Sequence, residues 1–355
     1  MREQSPLALR TASSTLATSQ WRAARATNHL LVLALVTVFS HAPQASASFP
    51  PPPHTLWELA HEAQLIVWAE VESVSERPRL LEGLGYDASV TLEVRETWKG
   101  SVRTGARIET FILSGGPCAT NVQVGLTVVA LLNKENGQWL PTWPFCGTRF
   151  PGSDSDVEAY RRVITAARQA LDRWIQARLA GEAPDFEKAH WDWRVLAAVH
   201  PVTRWDGVSG LGSEEFDVAR SFYNPRASPD DTARVQGYRE ELARDIVAYP
   251  SFDLTFALML KLLRGLPNKD VDRVVANVLE TVATEKPPPD WAIIAFDLLR
   301  ERLGENHGSR PSRLHPHGKS SDAIEAGVAQ VFVREWPDFK QRHGLKPQPI
   351  QPPAK

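Results

Sequence analysis

The sequence predicts an α+β protein: a small five-stranded β-barrel followed by an α-helical C-terminal domain. Three observations carry this. Apolar residues alternate along short runs between Leu65 and Trp143, they recur at three- and four-residue intervals from Asp156 onward, and Gly, Pro and Asn punctuate the runs throughout. Five short strands with turn signals between them suit a small barrel, and consecutive short helices with tight breaks suit an array of α-hairpins.

The first strand, Leu65 to Val74, begins as a continuous apolar run and ends in alternation, the pattern of a strand passing from a buried centre to an edge. Ser89 to Trp98 alternates more cleanly, with Val90, Leu92 and Val94 on one face and Thr91, Glu93 and Arg95 on the other, and Lys99-Gly100 ends it. Arg107 to Leu113 and Leu126 to Leu132 supply two more strands. Asn136-Gly137 is a hairpin dipeptide leading into a fifth, Gln138 to Trp143.

From Asp156 to Leu179 the apolar positions Val157, Tyr160, Val163, Ile164, Ala167, Leu171, Trp174, Ile175 and Leu179 trace one helical face, with Ser155 or Asp154 as the cap. Further helical patterns cover Asp230 to Ala248, Phe252 to Arg264, Lys269 to Ala283, Asp290 to Leu303 and Asp322 to Trp336, broken by prolines and Gly304. No fixed repeat length is evident.

The first fifty residues give an address. A basic, Ser/Thr-rich lead with Arg2, Arg10, Arg22 and Arg25 runs into the apolar stretch Leu30 to Phe39, and Ala45-Ser46-Ala47 offers a small-x-small cleavage site. The apolar stretch is shorter than the ~20 residues a spanning helix needs, so residues 1–47 read as a signal peptide cut after Ala47. The expected location is the periplasm or the extracellular space, with no membrane span after cleavage. Taking four Arg and one Glu from totals of 40 basic and 42 acidic residues leaves 36 against 41. A mildly acidic chain without a basic cluster excludes nucleic acid as the expected partner. The remaining length exceeds the usual single domain of roughly 100–200 residues, which implies two cores. The expected division is a Pro-rich lead at 48–54, the barrel with its flanking helix at 55–180, a helical domain at 181–344 and a disordered Pro-rich tail at 345–355.

The chain has two cysteines, Cys118 in Gly-Gly-Pro-Cys and Cys146 in Pro-Phe-Cys-Gly-Thr-Arg. Two thiols behind an export signal read as a structural disulfide rather than as a catalytic or metal-binding pair. The order of features is an exposed N-terminal lead, strand Leu65 to Val74, a strand closing with Trp98-Lys99-Gly100, a Gly-rich loop holding Cys118, Gly125 before Leu126 to Leu132, and Cys146-Gly147-Thr148-Arg149 before a helix. That order resembles the bacterial relatives of the netrin module and of the tissue inhibitors of metalloproteinases, over residues 55–180. The resemblance implies a five-stranded barrel of the oligonucleotide/oligosaccharide-binding (OB) type with a flanking helix, and it pairs Cys118 with Cys146. Closing that loop is worth about 3.5 kcal/mol by the chain-entropy relation. The animal inhibitors place a cysteine at the mature N-terminus to chelate the protease zinc. Here the expected mature start is Ser48-Phe49 followed by four prolines, so an inhibitory edge at Ser48 and Phe49 has no disulfide to hold it and binds at an entropic cost.

Other motifs fail on spacing. His61-Glu62-Ala63-Gln64-Leu65 has Leu65 where the zinc-protease helix needs its second histidine, and Gly207-Val208-Ser209-Gly210 is one residue short of a nucleophile elbow. His307, His315 and His317 read as part of a solvated loop, and Asp154, Asp156, Glu214, Glu215 and Asp217 as helix caps and dipole partners. No catalytic residue, metal ligand or cofactor is assigned. The chain has 12 tryptophans, of which Trp139, Trp143, Trp191, Trp193 and Trp205 concentrate between the last strand and the domain junction. Most are expected to fill the seam between barrel and helices, the rest to form a binding surface. Trp191 and Trp193 diverge if they lie on a helix and share a face if they lie on a strand. Arg204-Trp205-Asp206-Gly207 reads as a loop.

The expected function is non-catalytic binding of a protein or glycan in the bacterial periplasm or at the cell surface, through the barrel face or the Trp-rich junction. The alternatives are metalloprotease inhibition through the N-terminal edge, and an envelope enzyme with its site at the domain junction.

Overall fold

Strand β1 (Leu65–Ser75) lies at the centre of an antiparallel sheet and sets its two faces. It pairs with β4 (Ala88–Lys99) on one side and β6 (Thr127–Glu135) on the other. The sheet continues outward to β5 (Arg107–Ile112) beyond β4, and to β7 (Gln138–Pro141) and β8 (Thr148–Arg149) beyond β6. A separate short hairpin joins β2 (Arg79–Leu81) to β3 (Leu84–Tyr86). The computed structural model describes residues 54–75, 79–81, 84–86, 88–112, 122–143, 147–211, 229–285, 288–305 and 322–351. These all fall in one compact unit spanning 50–315 and 321–355.

The alternation read from the sequence decides which side chains go inward. Val67, Ala69 and Val71 of β1 bury with Val90, Leu92 and Val94 of β4, Ile108 and Ile112 of β5, and Val128, Ala130 and Leu132 of β6. Asn136 and Gly137 both have positive φ, 49° and 83°, as the two central residues of a type I′ hairpin require, and they turn β6 into β7. The edge strands β5 and β7 are not paired in a ladder, although their Cα atoms approach within 8 Å.

The opposite face of the sheet is covered by helices. A seven-residue helix, α1 (Leu56–Glu62), buries Leu56, Trp57, Leu59 and Ala60 there, where an exposed lead was expected. Helix α2 (Asp154–Leu179) lies beside it, burying Val157, Tyr160, Val163, Ile164 and Ala167. Its cap is Ser153, whose side chain accepts from Asp156 N, rather than either expected residue.

The helical region comprises α3 (Phe186–Ala198), α4 (Arg204–Leu211), α5 (Pro229–Ala248), α6 (Leu254–Leu262), α7 (Lys269–Val282), α8 (Asp290–Arg302) and α9 (Asp322–Arg342). Helix α6 is buried nearly all round and is the centre of a core to which α3, α4, α5, α7, α8 and α9 all contribute. Three sequence expectations are corrected here. Arg204 to Gly207 begins a helix instead of a loop. Helix α9 runs through Pro337 to Arg342, which lets Phe339 pack 5.1 Å from Phe296. The segment after α9 is docked as far as Ile350, whose N–H donates to Thr281 Oγ1 at 2.8 Å, while Gln348 N donates to Asn277 Oδ1 at 2.8 Å. Residues 345–351 are thus an ordered strap on α7.

The expected boundary at residue 180 is not where the interior divides. Among the described residues there are three apolar clusters: one inside the sheet, one between the sheet and helices α1 and α2, and one in the helical region. Helix α3 enters two of them.

Candidate functional site

Helix α1 is too short to persist alone, because a one- or two-turn helix does not recover its nucleation cost. Partners distant in sequence hold both its ends. At the N-terminal end, Asp206 Oδ1 from α4 accepts the Leu56 N–H at 2.8 Å and lies 3.4 Å from Arg149 Nη2 of β8. Asp206 and Arg149 side chains are only 4% and 11% exposed, so this is a desolvated pair. Burial pushes the Asp206 carboxyl above its ordinary range, and the Arg149 cation and the Leu56 amide pull it back down. At the C-terminal end, Lys99 Nζ donates to the carbonyls of Ala60 and His61, both at 3.0 Å, satisfying acceptors that the last turn leaves free.

The flank of α1 that faces α3 carries a cluster of rings and charges. Trp57 has the His190 ring stacked on it at 4.4 Å, with His61 edge-on at 4.7 Å and Trp193 at 5.2 Å. His61 Nε2 contacts Ala167 O of α2 at 3.0 Å. Arg194, one turn beyond His190, donates from Nε to His190 Nε2 at 3.2 Å. That bond makes Nε2 an acceptor and the ring neutral. Burial, with the Arg194 and His61 charges adding to it, pushes His190 down to about 4. Arg194 is itself depressed by burial and raised by Glu58, yet it has no carboxylate within ion-pair distance among the described residues, and its Nη1 is buried without an acceptor.

Glu58 is committed elsewhere. Its Oε2 accepts the Thr55 N–H at 2.9 Å, closing the first turn of α1, and it lies 3.4 Å from His54 Nδ1. His54 in turn leans on Trp143, centroid to centroid 4.3 Å and tilted 53°. His54, Glu58, Trp143, His190 and Arg194 therefore make a partly exposed edge where the chain enters α1, with Trp57 as its floor.

Of the tryptophans singled out from the sequence, the structure brings one to this edge, Trp143. Trp191 and Trp193 lie on α3 and diverge, as helical spacing requires: Trp191 enters the helical core and Trp193 the sheet-side core, with 6% and 2% exposure. Buried to that degree, neither presents a face to a ligand, which removes both as binding residues. Trp193 also donates from Nε1 to Val163 O at 2.9 Å. Trp205 packs half-buried on the helical core, and Trp139 on the sheet interior under Lys134. Ser48, Phe49, Cys118, Cys146, His307, His315, His317, Glu214, Glu215 and Asp217 lie outside the described residues.

Sequence reasoning missed His54, Glu58 and Arg194 as members of one site. Two signals were present: Thr55-x-x-Glu58 is a helix-start pattern, and His190 and Arg194 are four apart, adjacent on a helix face. The set offers a guanidinium beside aromatic surface. Among the described residues no group of three or more His, Cys, Asp or Glu side chains is placed to hold a metal ion, and no helix is long and apolar enough to cross a membrane. No family model, curated protein or solved structure matches the chain.

Proposed function

We propose that the protein is an exported, non-catalytic binding protein of the periplasm or cell surface that carries a netrin-like barrel and engages a protein partner through the edge where His54, Glu58 and Trp143 of the strand half meet His190 and Arg194 of α3. The observation that carries this is the edge itself. It combines aromatic surface with a cation that has no carboxylate partner among the described residues, beside a helix clamped at both ends, and rigid placement lowers the entropic cost of binding. Burial of Trp191 and Trp193 takes those two indoles out of the binding surface. The barrel reading is supported by the strand order β5-β4-β1-β6-β7 and by the approach of β5 to β7, as in a partly open five-stranded barrel. A non-reducing peptide map of the exported protein tests the address and the staple together: a start near Ser48 and a Cys118–Cys146 bond are expected, and a retained leader with free thiols would reject both.

The edge is tested by photo-cross-linking in exported material, with benzoylphenylalanine replacing Glu58 or, as control, Tyr249, which is 61% exposed elsewhere. Discrete adducts from position 58 alone are expected. Identical patterns from the two positions, or none from position 58, would sink the proposal.

The anchoring of Leu56 by Asp206 favours metalloprotease inhibition as a second reading, since it fixes the point from which the lead departs without any cysteine. Deleting Ser48 to His54 would then abolish inhibition of a zinc endopeptidase by the mature protein. Absence of inhibition by the intact protein would dismiss this reading.

A further inference from the structure

Buried or half-buried cations are paired in folded proteins because desolvating an unpaired charge costs several kcal/mol. Arg194 breaks that rule. Its only hydrogen-bond partner among the described residues is the neutral acceptor His190 Nε2, its Nη1 meets no acceptor, and no carboxylate lies within 4.0 Å. Glu58, whose charge acts on it, is held by the Thr55 amide instead.

We infer that Arg194 is the anchor for a carboxylate of an acidic peptide segment on the partner, bound at the edge between His190, Glu58 and Trp143. The inference rests on the binding edge proposed above and names the chemistry it recognises. With Nε given to His190 and Nη1 enclosed, Nη2 is the donor left for a carboxylate oxygen, and one cation matches one anion. A phosphate dianion calls for more positive charge than the edge holds, because His190 is an acceptor here and Glu58 repels anions. A sugar lies flat on an open indole face, whereas the His54 ring is tilted 53° against Trp143 and occupies that surface. A peptide needs only the carboxylate and neighbouring side chains to reach the edge.

The test is an NMR titration of the intact mature chain, following the Trp57 indole and Arg194 side-chain N–H signals. The probe is a blocked pentapeptide with one Asp among alanines, its Asn counterpart serving as control. Saturable shifts are expected with the Asp peptide and affinity at least about 10-fold weaker with the Asn peptide. Arg194→Gln should lose about 10-fold or more in affinity. Should that variant fail to fold, Glu58→Gln gives an independent reading. Gln keeps an oxygen for the Thr55 amide and removes the competing charge, so affinity should rise about 2–5-fold. Equal binding by Arg194→Gln, weaker binding by Glu58→Gln, or equal shifts from inorganic phosphate or glucuronate would overturn the inference. Cross-links at position 58 without peptide binding would keep the edge and reject the carboxylate. Peptide binding without cross-links would keep the carboxylate site and reject the edge as a docking surface.

Discussion

His190 makes the stability of the protein depend on pH in a direction that can be worked out. A histidine titrating at about 4 in the folded protein, against about 6.5 when unfolded, binds fewer protons folded than unfolded between those values. Stability is therefore complete above about pH 6.5 and falls as the pH drops toward 4. The full shift is discounted because the ring is only half-buried, leaving a loss of order 2 kcal/mol. Urea unfolding at pH 7 and pH 4 should show wild type losing that much more than His190→Phe, which keeps a ring on Trp57 but cannot titrate; equal losses would mean that the ring relaxes into solvent. Asp206 makes a buried ionic contact with Arg149. Asp206→Ala leaves the Leu56 amide without its acceptor and takes a carboxylate from buried Arg149, and should cost about 3–5 kcal/mol. Asp206→Asn retains an acceptor for Leu56 and should recover part of that loss in the same unfolding assay.

At the scale of elements, α3 and α4 form a close helical pair that depends on one glycine. A Cβ on Gly207 would sit 2.4 Å from Arg194 O and 2.4 Å from Ala198 N, backbone atoms that cannot rotate away. Gly207→Ala should accordingly cost about 2–4 kcal/mol even though alanine is the better helix former, measurable as a lowered urea midpoint with unchanged m. Legibility in the sequence divides along the same line of local against long-range cause. The strands could be read because alternation and turn chemistry are local: Val90, Leu92 and Val94 repeat at two, and Asn136-Gly137 demands its own turn. Helix α7 starts at Lys269 behind Asn268, whose side chain accepts from Asp270 N and Val271 N, again a local device. Helix α1 was illegible because its ends are held by Asp206 and Lys99, far away in sequence. Arg204 to Gly207 looked like a loop because Asp and Gly are poor helix formers in isolation, and only the packing against Ala198 shows why the glycine is there. Pro337 hid the last turn of α9. The carbonyl it releases belongs to Val333, which is 43% exposed, so water can take it up. The edge around Arg194 needed two helices that the sequence reading did not assign, since α1 supplies one wall of it and α3 the other.

At the scale of the whole molecule, α3 decides what can fold by itself. Its Trp193 and Ala197 complete the core beneath the sheet, while Trp191, Val195 and Ala198 complete the helical core. A chain cut after Leu179 would therefore lose the indole that contacts Trp57, the Trp193 bond to Val163 O, and the Asp206 that holds α1. Losing a buried tryptophan alone costs about 3–5 kcal/mol, a large part of the 5–15 kcal/mol that stabilises a typical domain. Residues 48–179 should show poor amide dispersion and no cooperative unfolding. Residues 48–211 keep Trp193 and Asp206 and should regain both, although the bared Trp191 and Val195 favour self-association. Cooperative unfolding of the shorter piece would restore residue 180 as a domain boundary and reduce α3 to a connector. Failure of the shorter piece with recovery of the longer one would show that the recognition edge is built jointly, with the strand half supplying Trp143 and the helical half supplying Arg194.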